Sequence, residues 1–392
     1  MELMMAQLSH FVGNEDEFPI LKNWRFLNHA AVTAIPRRVA QAMRQYVDEA
    51  GNASYIGANW YSQIENLRES AGRLINAGRD EIAFIKNTGE GLSIVANAID
   101  WKTGDRIVTT NVEYPANIYP WMDVARRFGA ELVLVPEETN AQGRRHVSMD
   151  KILHEADHAR TRLVTISHVE FASGQRHDLA SLGKFCRERG KLLCVDGIQS
   201  VGAVPVDVAA MNIDYLSADG HKWLLSPEAA GIFYCRRELL ARTRPLTIGW
   251  MNIVNAMDFG TYDYTLKPDA RRFECGSLNV AGLLGLKAAV ELLLEVGIDA
   301  VAARLKSLGD RLIAGLIERR YPVISPRERD SWSGIISFTA PHLDGDQLVK
   351  TLRTQHQTEI TRRVGRLRAS PHFYNTEQQI DDLLALLPPG RN

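Results

Sequence analysis

The stretch KLLCVDGIQS (191–200) is the key to the fold. Leu192 to Val195 form a short apolar run that ends on Asp196 and Gly197, the pattern of a buried strand closed by turn residues. Asp196 then falls at the carboxyl end of a strand, the edge at which open α/β sheets bind ligands. On its own, an aspartate there is a turn or helix-capping residue. Downstream, YLSADGHKWLLSP (215–227) repeats the pattern and brings His221 and Lys222 to the same edge, in a loop that contains glycine. A lone loop lysine is simply solvated; a lysine and an aspartate delivered together call for one explanation.

Working outward, short apolar runs alternate with amphipathic segments from about residue 65, as expected of βα units around a mostly parallel sheet. The predicted strands are 81–85, 106–111, 131–136, 162–169, 191–197, 215–220 and 231–236, with helices such as NIYPWMDVARRFG (117–129) and LASLGKFCRERG (179–190) between them. After residue 278 the texture changes to long helical stretches, 278–297 and 299–320. Short strands follow in SGIISFTA (333–340), EITRRVG (359–365) and GRLRASPH (365–372), with helices at 344–355 and 376–387. The expectation is a large α/β domain with its N-terminal segment over 1–280, then linking helices and a small α+β domain over 281–392.

The 392 residues carry 46 basic and 47 acidic side chains, a formal charge of -1 spread along the chain. That balance offers no electrostatic footprint for nucleic acid or an anionic membrane, so a small molecule is the expected partner. The start of the chain, MELMMAQLSHFVGNEDEFPI, lacks the basic and apolar pattern of a secretory leader, and a cytoplasmic protein is expected. Cys186, Cys194, Cys235 and Cys275 show no CxxC spacing; neither a metal site nor a disulfide framework is predicted.

Lys222 and Asp196 together suit pyridoxal 5'-phosphate (PLP). Its chemistry needs an amine for imine formation and an acid partner that keeps the ring nitrogen protonated. Seven ordered motifs support that reading: NTGEGLSIVANAI (87–99), EYPANIYPW (113–121), SHVEFASG (167–174), VDGIQSVG (195–202), DGHKW (219–223), RFECGSLN (272–279) and RLRASPHFYNT (366–376). In these the chain resembles the class V, cysteine desulfurase-like branch of fold-type I PLP enzymes.

The resemblance implies that Lys222 is the Schiff-base lysine, Asp196 the partner of the pyridine nitrogen, and Gln199 a partner of the ring hydroxyl or imine region. It implies a phosphate site from Thr88 and the amides of Gly89 and Glu90, at a helix start whose free N–H groups favour anions, with His221 adding a contact. Ser277 matches a position that reaches the neighbouring subunit's phosphate, so a homodimer with shared sites is implied. Arg368 is expected to fork the substrate carboxylate, with Arg366 on the same side of its strand as the alternative.

Three departures stand out. Desulfurases of this branch carry a nucleophilic cysteine just before the RLRASPH-like motif, and HQTEITRRVGRL (356–367) has none, which argues against persulfide formation on the enzyme. Cys275 is the nearest alternative. The usual ring-stacking histidine is replaced by Pro115, with Tyr114 beside it as a substitute aromatic face or a packing residue. Phe171 and Asp219 stand where polar residues are usual, and an ionised Asp219 must turn from a phosphate or pair with a cation. His168 is read as a structural strand-end residue, and His29, Tyr55, Trp60 and Tyr61 as aromatic packing near the substrate entrance. The first expectation for activity is a class V aminotransferase acting at the alpha carbon of a small amino acid. The alternatives are a carbon–sulfur lyase, an isopenicillin-N-epimerase-like enzyme, or a PLP-binding protein without catalysis.

Overall fold

The computed structural model describes residues 8–328 and 330–390; the reading of residues 1–7 lies outside them. Each predicted apolar run of the first half lies in one seven-stranded sheet: β1 (Ile82–Ile85), β2 (Arg106–Thr110), β3 (Glu131–Val135), β4 (Thr161–Ser167), β5 (Leu192–Asp196), β6 (Tyr215–Asp219) and β7 (Gly231–Cys235). The order across the sheet is β1-β7-β6-β5-β4-β2-β3, and β7 alone runs antiparallel to its neighbours. Helices cover both faces, so the inner strands are buried on both sides and read as continuous apolar runs rather than alternating ones.

The connecting helices start with caps written locally in the sequence. In α3 (Thr88–Ala98), which follows β1, the Asn87 side chain accepts from the Glu90 amide. In α6 (Leu179–Glu188), before β5, Asp178 accepts from the Ser181 amide. Between α3 and α6 lie α4 (Tyr119–Phe128) and α5 (Met149–Ala156). Two helices precede the sheet, α1 (Arg37–Ala53) and α2 (Trp60–Ile75), and both pack against α7 (Val280–Val296). Gly297, at φ 84°, breaks α7 from α8 (Ile298–Glu318), so the long helical stretch is two helices joined where only glycine sits comfortably.

Beyond α8, β8 (Ile336–Phe338), β9 (Thr361–Arg363) and β10 (Arg366–Ala369) form a sheet of order β8-β10-β9, with α9 (Gly345–His356) and α10 (Glu377–Leu386). Its apolar cluster takes in Leu312, Leu316, Phe338, Leu367 and Leu383, and also Leu27 from near the start of the chain. Arg25–Phe26 pairs in parallel with Thr358–Glu359, and the His29 ring bonds the Ser370 carbonyl and the Tyr374 hydroxyl. The N-terminal segment is therefore stitched to the last elements of the chain, which brings residues 30–32 over the carboxyl edge of the large sheet.

Candidate active site

At that edge lies a cavity of about 410 Å³, lined among others by Thr88, Gly89, Tyr114, Phe171, Asp196, Gln199, His221, Lys222 and Arg368. Chain segments far apart in sequence meet there because β4, β5 and β6 all end on one side of the sheet and α3 begins on it. Lys222 follows β6 and is buried. Its neighbour Trp223 is locked at both ends: the indole Nε1 donates to Gln199 Oε1 at 2.8 Å, and the carbonyl receives His372 Nε2 at 3.0 Å. Shortly after, buried Leu225 and exposed Ala229 adopt φ values of 58° and 61°, a strained path for side-chain-bearing residues.

The electrostatics are those of a site short of partners. Burial lowers the Lys222 ammonium to about 8, Arg368 and Arg363 pushing the same way and Asp196 opposing them. Burial raises Asp196 to about 6; its Oδ1 accepts from the Ile198 amide, while Oδ2 is buried without a partner among the described residues. Arg368 is also buried. Its Nη1 donates to the Phe171 carbonyl at 2.7 Å, but Nε and Nη2 have no partner among the described residues, and burial beside Arg363 lowers the guanidinium to about 9. Unpartnered buried charges are costly unless a ligand completes them.

Asp219 does not face the cavity as a bare charge. Its Oδ1 accepts from the Gly220 amide and its Oδ2 meets His221 Nδ1 at 2.8 Å, which orients the imidazole. The Thr88 hydroxyl accepts from the Asp219 amide and keeps its own proton to donate. Gln199 gives one Nε2 hydrogen to the Ala30 carbonyl and retains the other. The Tyr114 ring lies 5.3 Å from Lys222 Nζ and edge-on to Phe171.

Glu90 and Arg366 are placed differently from expectation, and Ser277, His29, Tyr55, Trp60 and Tyr61 lie outside the cavity. Glu90 does not line the cavity: Asn87 takes its amide, and its carboxylate turns back to the Lys86 amide at 2.7 Å. Arg366 is held by Glu137 and is no alternative to Arg368. Ser277 is exposed and outside the cavity of its own chain. His29 is buried against Tyr374 and Trp223, Trp60 bonds Glu49, and Tyr55 and Tyr61 are exposed away from the cavity. Arg363, Glu228, Ala116 and the Ala30–Val32 segment line it without having been singled out. For Arg363 the available signal was the hairpin pattern just before RLRA.

None of the four cysteines lines the cavity. Cys186, Cys194 and Cys235 are buried with thiols raised by burial, and Cys275 is exposed elsewhere.

A family model described as aminotransferase class-V matches residues 25–383. The chain belongs to the aminotransferase class-V family. This class-V chain is 31% identical to a probable cysteine desulfurase of Pyrococcus abyssi over 390 residues, covering 95% of each. Among solved structures it resembles the apo cysteine desulfurase of Thermococcus onnurineus NA1, at TM-score 0.85 and 26% identity, over 95% of this chain and 96% of that one. It resembles equally C-DES, a cystine C-S lyase solved with its product cysteine persulfide, at TM-score 0.85 and 26% identity over 95% of this chain and 100% of that one. A variant of C-DES has been solved with glycine covalently linked to its PLP cofactor. The class-V chain has the fold-type I α/β architecture that its motifs implied. Among its described residues no helix is long and apolar enough to cross a membrane.

Proposed function

We propose that this class-V chain is a PLP enzyme that acts at the alpha carbon of a small amino acid and cleaves a carbon–sulfur bond in its side chain. The carrying observation is a cavity that joins a buried amine, a buried carboxylate with one oxygen unpartnered and a buried guanidinium with two nitrogens unpartnered among the described residues, with no thiol among its lining residues. Its volume and donor set fit the cofactor: Lys222 for the aldehyde, Asp196 Oδ2 for the ring nitrogen, Thr88, Gly89 and His221 for the phosphate, and Gln199 and Tyr114 for the ring. When bound, PLP supplies an electron sink for the charge left on the alpha carbon.

The chain's residues do the rest. Arg368 holds the substrate carboxylate and so fixes which alpha-carbon bond faces Lys222. Lys222, lowered toward neutrality, takes the alpha proton as a base. Expulsion of the beta sulfur with its bonding pair then leaves a fragment that hydrolyses to a 2-oxo acid and ammonia. With no cysteine at hand, the sulfur departs as a thiol or persulfide. The relatives' names move this reading ahead of transamination, which uses the same residues.

The domain division stands as part of the proposal, with residues 1–280 supplying the cofactor site and 281–392 the carboxylate-binding arginine. So does a homodimer in which Ser277 serves the neighbouring site; exposed Trp250, Met257, Phe259 and Tyr262, not far along the chain, are the kind of surface a second copy covers. Incubating the PLP-loaded protein with an amino-acid panel tests the reaction. Sulfide or persulfide with stoichiometric 2-oxo acid and ammonia supports elimination. Product formation only with an added 2-oxo acid acceptor establishes transamination, and loss of chirality without product establishes epimerisation.

A further inference from the structure

Trp223, the residue after Lys222, is fully buried, and two glycines clear the space around it. A Cβ on Gly202 would lie 2.4 Å from the Trp223 carbonyl oxygen, and one on Gly334 would lie 2.5 Å from the far edge of the indole. Gly202 also sits at φ 91°, where other residues are strained. The backbone on either side thus leaves a slot that this tryptophan fills.

His372 grips the backbone of that tryptophan. Its Nδ1 accepts from the Phe373 amide at 2.9 Å, so the ring proton sits on Nε2 and is donated to the Trp223 carbonyl at 3.0 Å. Burial pushes the imidazolium down to about 4, which keeps the ring in this neutral form. The contacts close into a ring. Gln199 Oε1 takes the Trp223 indole N–H while its Nε2 donates to the Ala30 carbonyl, and the Ala30 amide donates to the Ser370 hydroxyl. His29, next to Ala30, faces the Ser370 carbonyl at 2.9 Å, and its ring meets His372 edge to face with centroids 5.1 Å apart. Gln199, His29, Ser370 and His372 are all buried, so water does not compete for these bonds.

We propose that His372 is a positioning residue for Lys222: through the Trp223 carbonyl it fixes the backbone that carries the amine, and so the direction from which Nζ meets the cofactor and the alpha carbon. The Lys222 amine forms no hydrogen bond of its own among the described residues, and the side chain meets only the Tyr114 ring face at 5.3 Å, so its aim is set by packing and by the backbone beneath it. A shift of about 1 Å at a reacting group costs on the order of a hundredfold in rate, which is why the residue behind the amine matters. The assignment rests on the reading of the cavity as a PLP site.

The test measures PLP binding rather than turnover, as a double-mutant cycle between His372 and Lys222. The PLP-loaded protein is dialysed and the dissociation constant taken from the absorbance of bound cofactor, in wild type, His372→Phe, His372→Gln, Lys222→Ala and the double variants. Phenylalanine keeps a buried ring without the N–H; glutamine returns an N–H at the reach of Nε2. His372→Phe is expected to weaken PLP about tenfold with Lys222 present and by less than about twofold in Lys222→Ala, with His372→Gln recovering most of the loss. An equal loss in both backgrounds means that His372 merely supports the fold and overturns the proposal, as does a glutamine no better than phenylalanine. Should His372→Phe not fold, His372→Asn, which still accepts from the Phe373 amide but stops short of the Trp223 carbonyl, goes through the same cycle with the same outcomes. The cofactor reading fails separately: a wild type that holds no PLP removes it.

Discussion

Glu137 grips Arg366 through two hydrogen bonds, at 3.1 and 2.6 Å, and thereby leaves Arg368 as the cation of β10 that is open to a ligand. The two arginines are separated by one residue and differ in what they can do. Arg368→Ala should lower kcat/KM for any substrate with an alpha-carboxylate by about ten- to a hundredfold, the worth of a lost charge-assisted pair. Arg366→Ala should instead lower unfolding stability by about 1–2 kcal/mol, with KM little changed. Kinetics and urea titration of both variants check the assignment. A larger kinetic loss in Arg366→Ala would refute it.

Arg368 also costs the ligand-free protein stability, because it holds a buried charge with two unpartnered nitrogens. Arg368→Met should therefore match or exceed wild type in thermal stability without ligand while losing substrate affinity. A fall of several degrees in Tm would show that the guanidinium is chiefly a packing element.

Lys222 is lowered from the ordinary lysine range to about 8, first by burial. Its neutral, nucleophilic form then dominates above pH 8, and the rate of PLP capture by the apoprotein, followed by absorbance, should rise with pH and level off beyond that point. Arg368→Met removes a nearby cation and should move the midpoint up; Asp196→Asn removes an anion and should move it down. Opposite movements would contradict the electrostatics. Lys222→Ala should abolish turnover, by about a thousandfold or more, while the phosphate site still holds some cofactor.

Beneath the cavity, buried Glu170 accepts from the Thr110 hydroxyl and meets His177, and burial raises its carboxyl to about 8. The folded chain thus keeps a proton that the unfolded chain has released, and stability falls as pH rises from the ordinary glutamate range to about 8. Glu113 is raised in the same direction by burial, with Glu170 adding to it. Asp196 adds the same sign, but only up to about 6. Buried His29, His168 and His372, all lowered by burial, act with the opposite sign near pH 6 but do so alike in both proteins, so the stability of wild type relative to Glu170→Gln, followed by urea unfolding, should fall by on the order of 2 kcal/mol between about pH 6 and about pH 9. An identical slope in both proteins would remove this role.

The cap of α3 offers a last check on how the phosphate site is built. Asn87→Ala frees the Glu90 amide and should cost about 1 kcal/mol of stability. The freed amide becomes a further N–H at the helix start, so affinity for inorganic phosphate should hold or improve. A loss of phosphate binding together with stability would show that the cap orders the site instead.

What the sequence alone determined was local: the seven apolar runs of the large sheet and the delivery of Asp196 and Lys222 to strand ends. Each depends on the order of neighbouring residues, which is why each was legible. The antiparallel course of β7 and the early helices α1 and α2 were not, because strand direction and the covering of α7 are settled by distant packing. The same division holds at the site. Arg366 and Arg363 are both charged residues in one hairpin stretch, and nothing local says which of them is free. Tertiary structure decides it: Glu137 reaches one guanidinium from 229 residues away, while Arg363 forms no ion pair among the described residues. A charged group's availability depends on who else can reach it, and only the folded chain brings those groups within reach.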